Sequence, residues 1–139
     1  MSFAYSRTIH FADTDAAGVV YFARYLSICH EAYEEALAAA GIDIKNFFSA
    51  TGVMIPVSRS ETKYLRPLVV GDKILVNARP EFITENTYAV RYEIVKLGKV
   101  EKLIAEARTE HVCIDAKTRE RQPLPHHLAA WVNQTTPQV

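Results

Sequence analysis

The chain has 139 residues, 49% of them hydrophobic and 23% charged, the balance of one ordinary domain with enough apolar side chains to fill a core. Its 16 basic and 16 acidic residues cancel to a formal net charge of zero, which excludes the basic stripe of a nucleic-acid or membrane-surface binder. No apolar run approaches a bilayer span and residues 1–10 hold no signal-peptide hydrophobic stretch, so a cytoplasmic protein is expected.

Residues 5–11, YSRTIHF, alternate in period two and predict a first strand. Residues 13–18 are polar and small and predict a turn. From about 21 to 40 the period becomes helical. Phe22, Tyr25, Leu26, Cys29, Ala32, Tyr33, Ala36, Leu37 and Ala40 recur at helical spacing, while Arg24, Ser27, Glu31, Glu34 and Glu35 fill a narrower polar face. Such a helix must be covered over most of its circumference. Gly41 suits its C-terminal stop, and residues 43–52, DIKNFFSATG, predict a shorter helix with Asp43 at the N-cap. The rest is strand-rich: 54–67, 71–84, 87–97 and 102–115. In the third of these, Tyr88, Val90, Tyr92 and Ile94 alternate with Thr87, Ala89, Arg91 and Glu93. Prolines in 123–125 then break the sheet ahead of a short helix or tail from about 126.

Strands joined by short turns demand an antiparallel sheet, and a single apolar helix must lie on its concave face. The expectation is an α+β chain, one domain over residues 1–139, with a curled five-stranded antiparallel sheet wrapped around one long central helix. One helix covers only part of such a sheet. The remaining edge and apolar surface call for a second subunit, so a homodimer or homotetramer is expected.

Two aspartates interrupt an otherwise apolar stretch in FADTDAAGVVYFARY, residues 11–25. Asp13 and Asp15 fit turn and helix-capping chemistry, which is a purely structural role. They also fit hydrolysis. A carboxylate beside helix N-terminal amides can activate water or attack a carbonyl while the amides polarise its oxygen. Cys29 and Cys113 have no CxxC or metal spacing and read as small buried hydrophobes. His111 lies two residues from Cys113, but a nucleophilic thiol also needs an electropositive setting.

The segment ADTDAAGVVYFARY (12–25) resembles the D-x-D-x-x-G-[VI]-V-[YW] signature of the 4-hydroxybenzoyl-CoA thioesterase family, which has the hotdog fold. The resemblance continues through IPVSRSETKYLRPLVVGD (55–72). With CHEAYE (29–34), ILVN (74–77), EHVCI (110–114) and PLP (123–125), it is nearest to the cyanobacterial branch acting on 1,4-dihydroxy-2-naphthoyl-CoA in phylloquinone synthesis. It implies an acyl-CoA thioester hydrolase with no metal and no cofactor beyond the CoA of its substrate. It also implies that Asp15 is the catalytic carboxylate and Asp13 a supporting turn residue. By the same resemblance Phe11, Tyr21, Phe22 and Met54 line the substrate, and a backbone amide near Met54 polarises the carbonyl.

Two positions depart from the relatives. Phe22 stands where Tol-Pal-type enzymes carry histidine, and Phe11 where they carry tyrosine, which favours a flat aromatic acyl group over a short aliphatic one. The arginines that the hydroxybenzoyl enzyme uses are replaced by Thr84, Glu85 and Asn86. Arg119 and Arg121 are then the candidates for CoA phosphate on charge alone. Four other readings stay open: a broader aryl- or short-chain acyl-CoA thioesterase; a non-catalytic acyl-CoA-binding protein; a dehydratase using His10, His30 or His111; and a metal site from His10, Asp13 and Asp15.

Overall fold

The computed structural model describes residues 2–135. Its strands are β1 (Phe3–Thr8), β2 (Val53–Met54), β3 (Val57–Tyr64), β4 (Lys73–Thr84), β5 (Thr87–Lys96), β6 (Lys102–Val112) and β7 (Ile114–Asp115). Its α-helices are α1 (Arg24–Ala39), α2 (Ile44–Thr51) and α3 (His126–Thr135). Five strands form one antiparallel sheet in the order β1-β4-β5-β6-β3, and β2 pairs with β7 in a separate two-stranded ladder.

The long helix is laid down by its apolar stripe. Tyr25, Ile28, Cys29, Ala32, Tyr33, Ala36 and Leu37 are buried, and the helix packs on β1 and β4. Two expectations about it need correction. Ile28, left out of the periodic set, is fully buried, whereas Phe22 and Ala40 lie outside the helix and are exposed. The backbone before Arg24 is a turn, so the helical period does not reach Phe22. Gly41 follows the helix with φ +84°, a left-handed position that glycine adopts without strain. Asp43 caps α2 by accepting from the Lys45 amide.

Facing residues in the sheet follow the period-two pattern. Ile74, Val76 and Ala78 of β4 and Tyr88, Val90, Tyr92 and Ile94 of β5 are all buried. Both long predicted strands at 54–67 and 102–115 are broken in two. Pro56 has no N–H and ends the β2 ladder, after which β3 starts in the main sheet. Cys113 turns its N–H to the Asn86 carbonyl instead, and β7 then leaves to pair with β2. The segment from 126 is a helix that buries Leu128, Trp131 and Val132, so it is part of the core and not a free tail. β3 forms one sheet edge, and nearly all its residues are exposed. No helix among the described residues is long and apolar enough to cross a membrane.

Candidate active site

The turn between β1 and α1 separates the two aspartates into opposite environments. A single 3-10 turn, Phe11–Asp13, drops Asp13 inside, where it is 1% exposed. There it is held on both oxygens. Arg7 donates from Nη1 to Oδ2 (2.7 Å) and from Nη2 to Oδ1 (3.0 Å), Arg24 donates from Nε to Oδ1 (2.9 Å), and the His10 amide donates to Oδ2 (2.8 Å). Burial alone would raise its pKa. The two arginines and the His10 amide outweigh burial and hold the carboxyl well below the usual carboxylate range.

Asp15 lies two residues on and is exposed. Its loop is closed by backbone bonds: Asp15 N to Val19 O (2.9 Å), Gly18 N to Asp15 O (3.0 Å) and Tyr21 N to Asp13 O (3.0 Å). Gly18 sits at φ +82°, a conformation that a side chain would strain. The Asp15 Oδ1 accepts from the Ala17 amide (2.8 Å), which orients the carboxylate; Oδ2 has no partner among the described residues. Just beyond, the chain enters α1 without a side-chain cap. Arg24 and Tyr25 amides bond back to Tyr21 and Phe22 carbonyls, whereas the amides of Phe22 and Ala23 have no acceptor among the described residues.

Aromatic surface surrounds this corner. Phe11 is 82% and Phe22 61% exposed, and the Tyr21 and Phe22 rings meet edge to face at 4.9 Å. Tyr64, on the edge strand β3, donates its hydroxyl to the Phe22 carbonyl (3.0 Å) and packs its ring against Tyr25 at 5.0 Å. The aspartate loop, the helix entry and the free sheet edge therefore meet in one place.

Other residues singled out in the sequence lie elsewhere. The Met54 side chain is partly exposed, but its amide is spent. In the antiparallel ladder with bonds from Ala116 N to Gly52 O and Val112 N to Pro56 O, the Met54–Ile114 pair between them exchanges its own N–H and C=O. At the entry to α1, the amides of Phe22 and Ala23 are the ones without an acceptor among the described residues. Arg119 and Arg121 stand in the exposed turn after β7, Arg119 at φ +65°, with no ion-pair partner among the described residues. Asp13 cannot join a metal site with His10 and Asp15, because both its oxygens are taken by arginines. Cys29 and Cys113 are buried away from any cation, and burial pushes the Cys29 thiol up to about 12.

Arg7 and Arg24 are the site residues that the sequence reading missed. A signal existed for Arg7: in period two it shares a strand face with Tyr5 and Ile9, an inward place for a cation. Tyr5 and Arg7 also donate to Glu31 of α1, at 2.8 and 2.7 Å, so the pair around Asp13 continues into the helix.

An antiparallel sheet around a long helix, with an exposed carboxylate at the helix entry, is the arrangement of a hotdog thioesterase. The chain belongs to the thioesterase-like superfamily, whose family model matches residues 9–132. It is 46% identical over 128 residues to the 1,4-dihydroxy-2-naphthoyl-CoA hydrolase of Crocosphaera subtropica, covering 92% of this chain and 93% of that one. With the enzyme of the same name from Nostoc punctiforme it shares 47% over 132 residues, 95% of this chain and 87% of that one. The crystal structure of a 1,4-dihydroxy-2-naphthoyl-CoA thioesterase from Synechocystis superposes with a TM-score of 0.91 at 34% identity, over 96% of each chain.

Proposed function

We propose that this protein hydrolyses an aromatic acyl-CoA thioester, 1,4-dihydroxy-2-naphthoyl-CoA, to the free acid and CoA. The observation that carries the reading is the contrast between the aspartates. Asp13 is locked by two arginines, while Asp15 keeps a free carboxylate oxygen in the loop that leads into the helix entry, where the amides of Phe22 and Ala23 have no acceptor among the described residues. Those amides suit the oxygen of a thioester carbonyl, on which negative charge develops as the carbon becomes tetrahedral. Asp15 serves in one of two ways. As a nucleophile it forms a mixed anhydride and expels CoA thiolate, and water then cleaves the anhydride. As a general base it takes a proton from water that attacks directly. Exposed Phe11, Tyr21 and Phe22, with the Met54 side chain, offer the flat surface an aromatic acyl group requires, and the names of the relatives supply the particular acyl group.

The working unit is a homodimer, or a pair of dimers. The free β3 edge can be completed by a second copy, and Tyr64 ties that edge to Phe22, so pairing there would also cover the exposed aromatic corner. Arg119 and Arg121, exposed and unpaired, are the candidates for CoA phosphate. The test is thiol release from purified protein given 1,4-dihydroxy-2-naphthoyl-CoA, benzoyl-CoA and a short aliphatic acyl-CoA. Fast release from the first alone supports the reading, and no release from any would leave the acyl-CoA-binding alternative.

A further inference from the structure

β3 is an edge of the sheet, and its free side can be followed residue by residue. The Leu65 amide donates to the Ile104 carbonyl (2.9 Å), so Leu65, Lys63, Glu61 and Arg59 bond to β6 in alternation. The amides and carbonyls of Ser60, Thr62 and Tyr64 therefore point away from the sheet. Tyr64 packs on Tyr25 of α1, which puts Ser60, Thr62 and Tyr64 on the helix side and Glu61 and Lys63 on the outer side. The outward set stops at Ser60, because a bulge between Val57 and Arg59 takes Ser58 out of the alternation. Among the described residues, Thr62 Oγ1 is the buried side-chain polar atom with no hydrogen-bond partner, and Thr62 is the middle of the outward set.

Resting on the dimer reading above, we propose that two copies pair antiparallel through β3 in the register that sets Thr62 against Thr62 of the partner subunit. A two-fold axis at Thr62 puts Ser60 across from the partner's Tyr64, so the outward main-chain groups of Ser60, Thr62 and Tyr64 all bond at once. Glu61 then faces the partner's Lys63. Within one chain Glu61 lies opposite Arg108, and Lys63 opposite Glu106. One row across the joined sheet therefore runs Arg108, Glu61, the partner's Lys63 and the partner's Glu106, with the sign of charge alternating throughout. An axis at Glu61 or at Lys63 would set like charges face to face, which is destabilising. An axis at Ser60 would demand Ser58, in the bulge, as a pairing residue. At Thr62 the two side chains face each other, and a turn about χ1 lets one hydroxyl donate to the other. The partner strand also runs past Tyr64, whose hydroxyl holds the Phe22 carbonyl, and so borders the aromatic corner.

Two measurements test the register. Residues 61 and 63 of opposite chains form a non-hydrogen-bonded pair, with Cα atoms about 4.5 Å apart and within disulfide reach. After mild oxidation, Glu61→Cys/Lys63→Cys should run as a covalent dimer on a non-reducing gel. Glu61→Cys and Lys63→Cys alone should not, and Cys29 and Cys113 are buried and stay out of the reaction. A covalent dimer from either single variant, or none from the double, overturns the register. In sedimentation at low salt, Glu61→Lys and Lys63→Glu should each raise the dimer Kd about tenfold, since each turns two facing pairs repulsive. Glu61→Lys/Lys63→Glu should restore it. Single variants that dimerise as tightly as wild type, or a double variant no tighter than the singles, overturn the register and leave the dimer standing. Wild type that sediments as a monomer at every concentration overturns the register and the dimer reading together.

Discussion

Arg7 and Asp13 form a two-point ion pair across the β1–α1 turn, Nη1 to Oδ2 at 2.7 Å and Nη2 to Oδ1 at 3.0 Å, with the carboxylate 1% exposed. Removing one side of a buried pair costs about 3–5 kcal/mol when the other charge is left alone; here Arg7 keeps Glu31 at 2.7 Å and Arg24 is partly exposed, so the loss should fall toward or below the low end of that range. Asp13→Ala should therefore unfold at markedly lower urea concentration at pH 7. The pH dependence follows from the direction of the shift. The folded-state pKa of Asp13 lies below its unfolded value of about 3.9, so its contribution is complete above about pH 4 and disappears as acid protonates it in the folded state. The stability gap between wild type and variant should be wide at pH 7, start to shrink as the pH falls below about 4, and close only as acid reaches the folded-state pKa, well below the usual carboxylate range. A gap of constant width would show that the carboxylate charge is not what holds this turn.

Asp15→Asn should behave in the opposite manner. The amide keeps an oxygen for the Ala17 N–H, so the loop retains its shape and the melting temperature should barely change. Hydrolysis should fall by about a hundred- to ten-thousand-fold, the usual worth of a general base, and by more if the carboxylate attacks directly. Steady-state thiol release beside a melting curve for both aspartate variants decides the matter. Exchanged phenotypes would reverse the roles given to Asp13 and Asp15.

The architecture was legible because its signals are periodic. The stripe from Tyr25 to Leu37 and the alternation from Tyr88 to Ile94 each name a buried face, and both are buried, although Ile28 joins the first, Leu26 is only partly covered, and Thr87 and Ala89 on the other side of the second are buried as well. What escaped was non-local. Nothing near Asp13 in sequence says that Arg7, on another element, will reach both its oxygens, or that Arg24, placed on a polar helix face, will turn back to it. The strand breaks at Pro56 and Cys113 escaped for a related reason. A change of sheet depends on where the partner strand lies, and a single strand's alternation does not record that. Phe22 was misplaced by periodicity itself, since it sits at helical spacing from Tyr25 and Cys29 while the helix begins only at Arg24.

The cysteines should be inert in the folded protein. Cys29 and Cys113 are buried, burial raises both thiols above their ordinary pKa, and a thiol rather than a thiolate is a poor nucleophile. Iodoacetamide at pH 7.5 should label neither until denaturant is added. Cys113→Ala should retain thioester hydrolysis within about twofold, because the residue supplies packing and no chemistry. Rapid native labelling, or loss of activity without loss of stability, would give the Cys113–His111 neighbourhood a chemical role.

Phe22 is where exposure and substrate choice meet. It follows Asp15 by seven residues, its amide is one of the two without an acceptor, and its ring is 61% exposed in the single chain. A ring so open contributes little to the core of one subunit, so Phe22→His should cost far less than the roughly 3–5 kcal/mol expected when a core phenylalanine is truncated. Its backbone amide survives the substitution, so any activity change reports the side chain. An aromatic acyl group loses an edge or offset ring contact worth about 0.5–1.5 kcal/mol beyond area burial, which is a several-fold fall in kcat/KM. A short aliphatic acyl group has no such contact to lose. The measurement sets kcat/KM for the aryl and the aliphatic thioester side by side, with melting temperature and sedimentation to register any effect on subunit pairing at the neighbouring β3 edge. A selective fall on the aryl substrate with an unchanged dimer assigns the ring to the acyl group. An equal fall on both substrates, accompanied by dissociation, assigns it to the subunit interface instead.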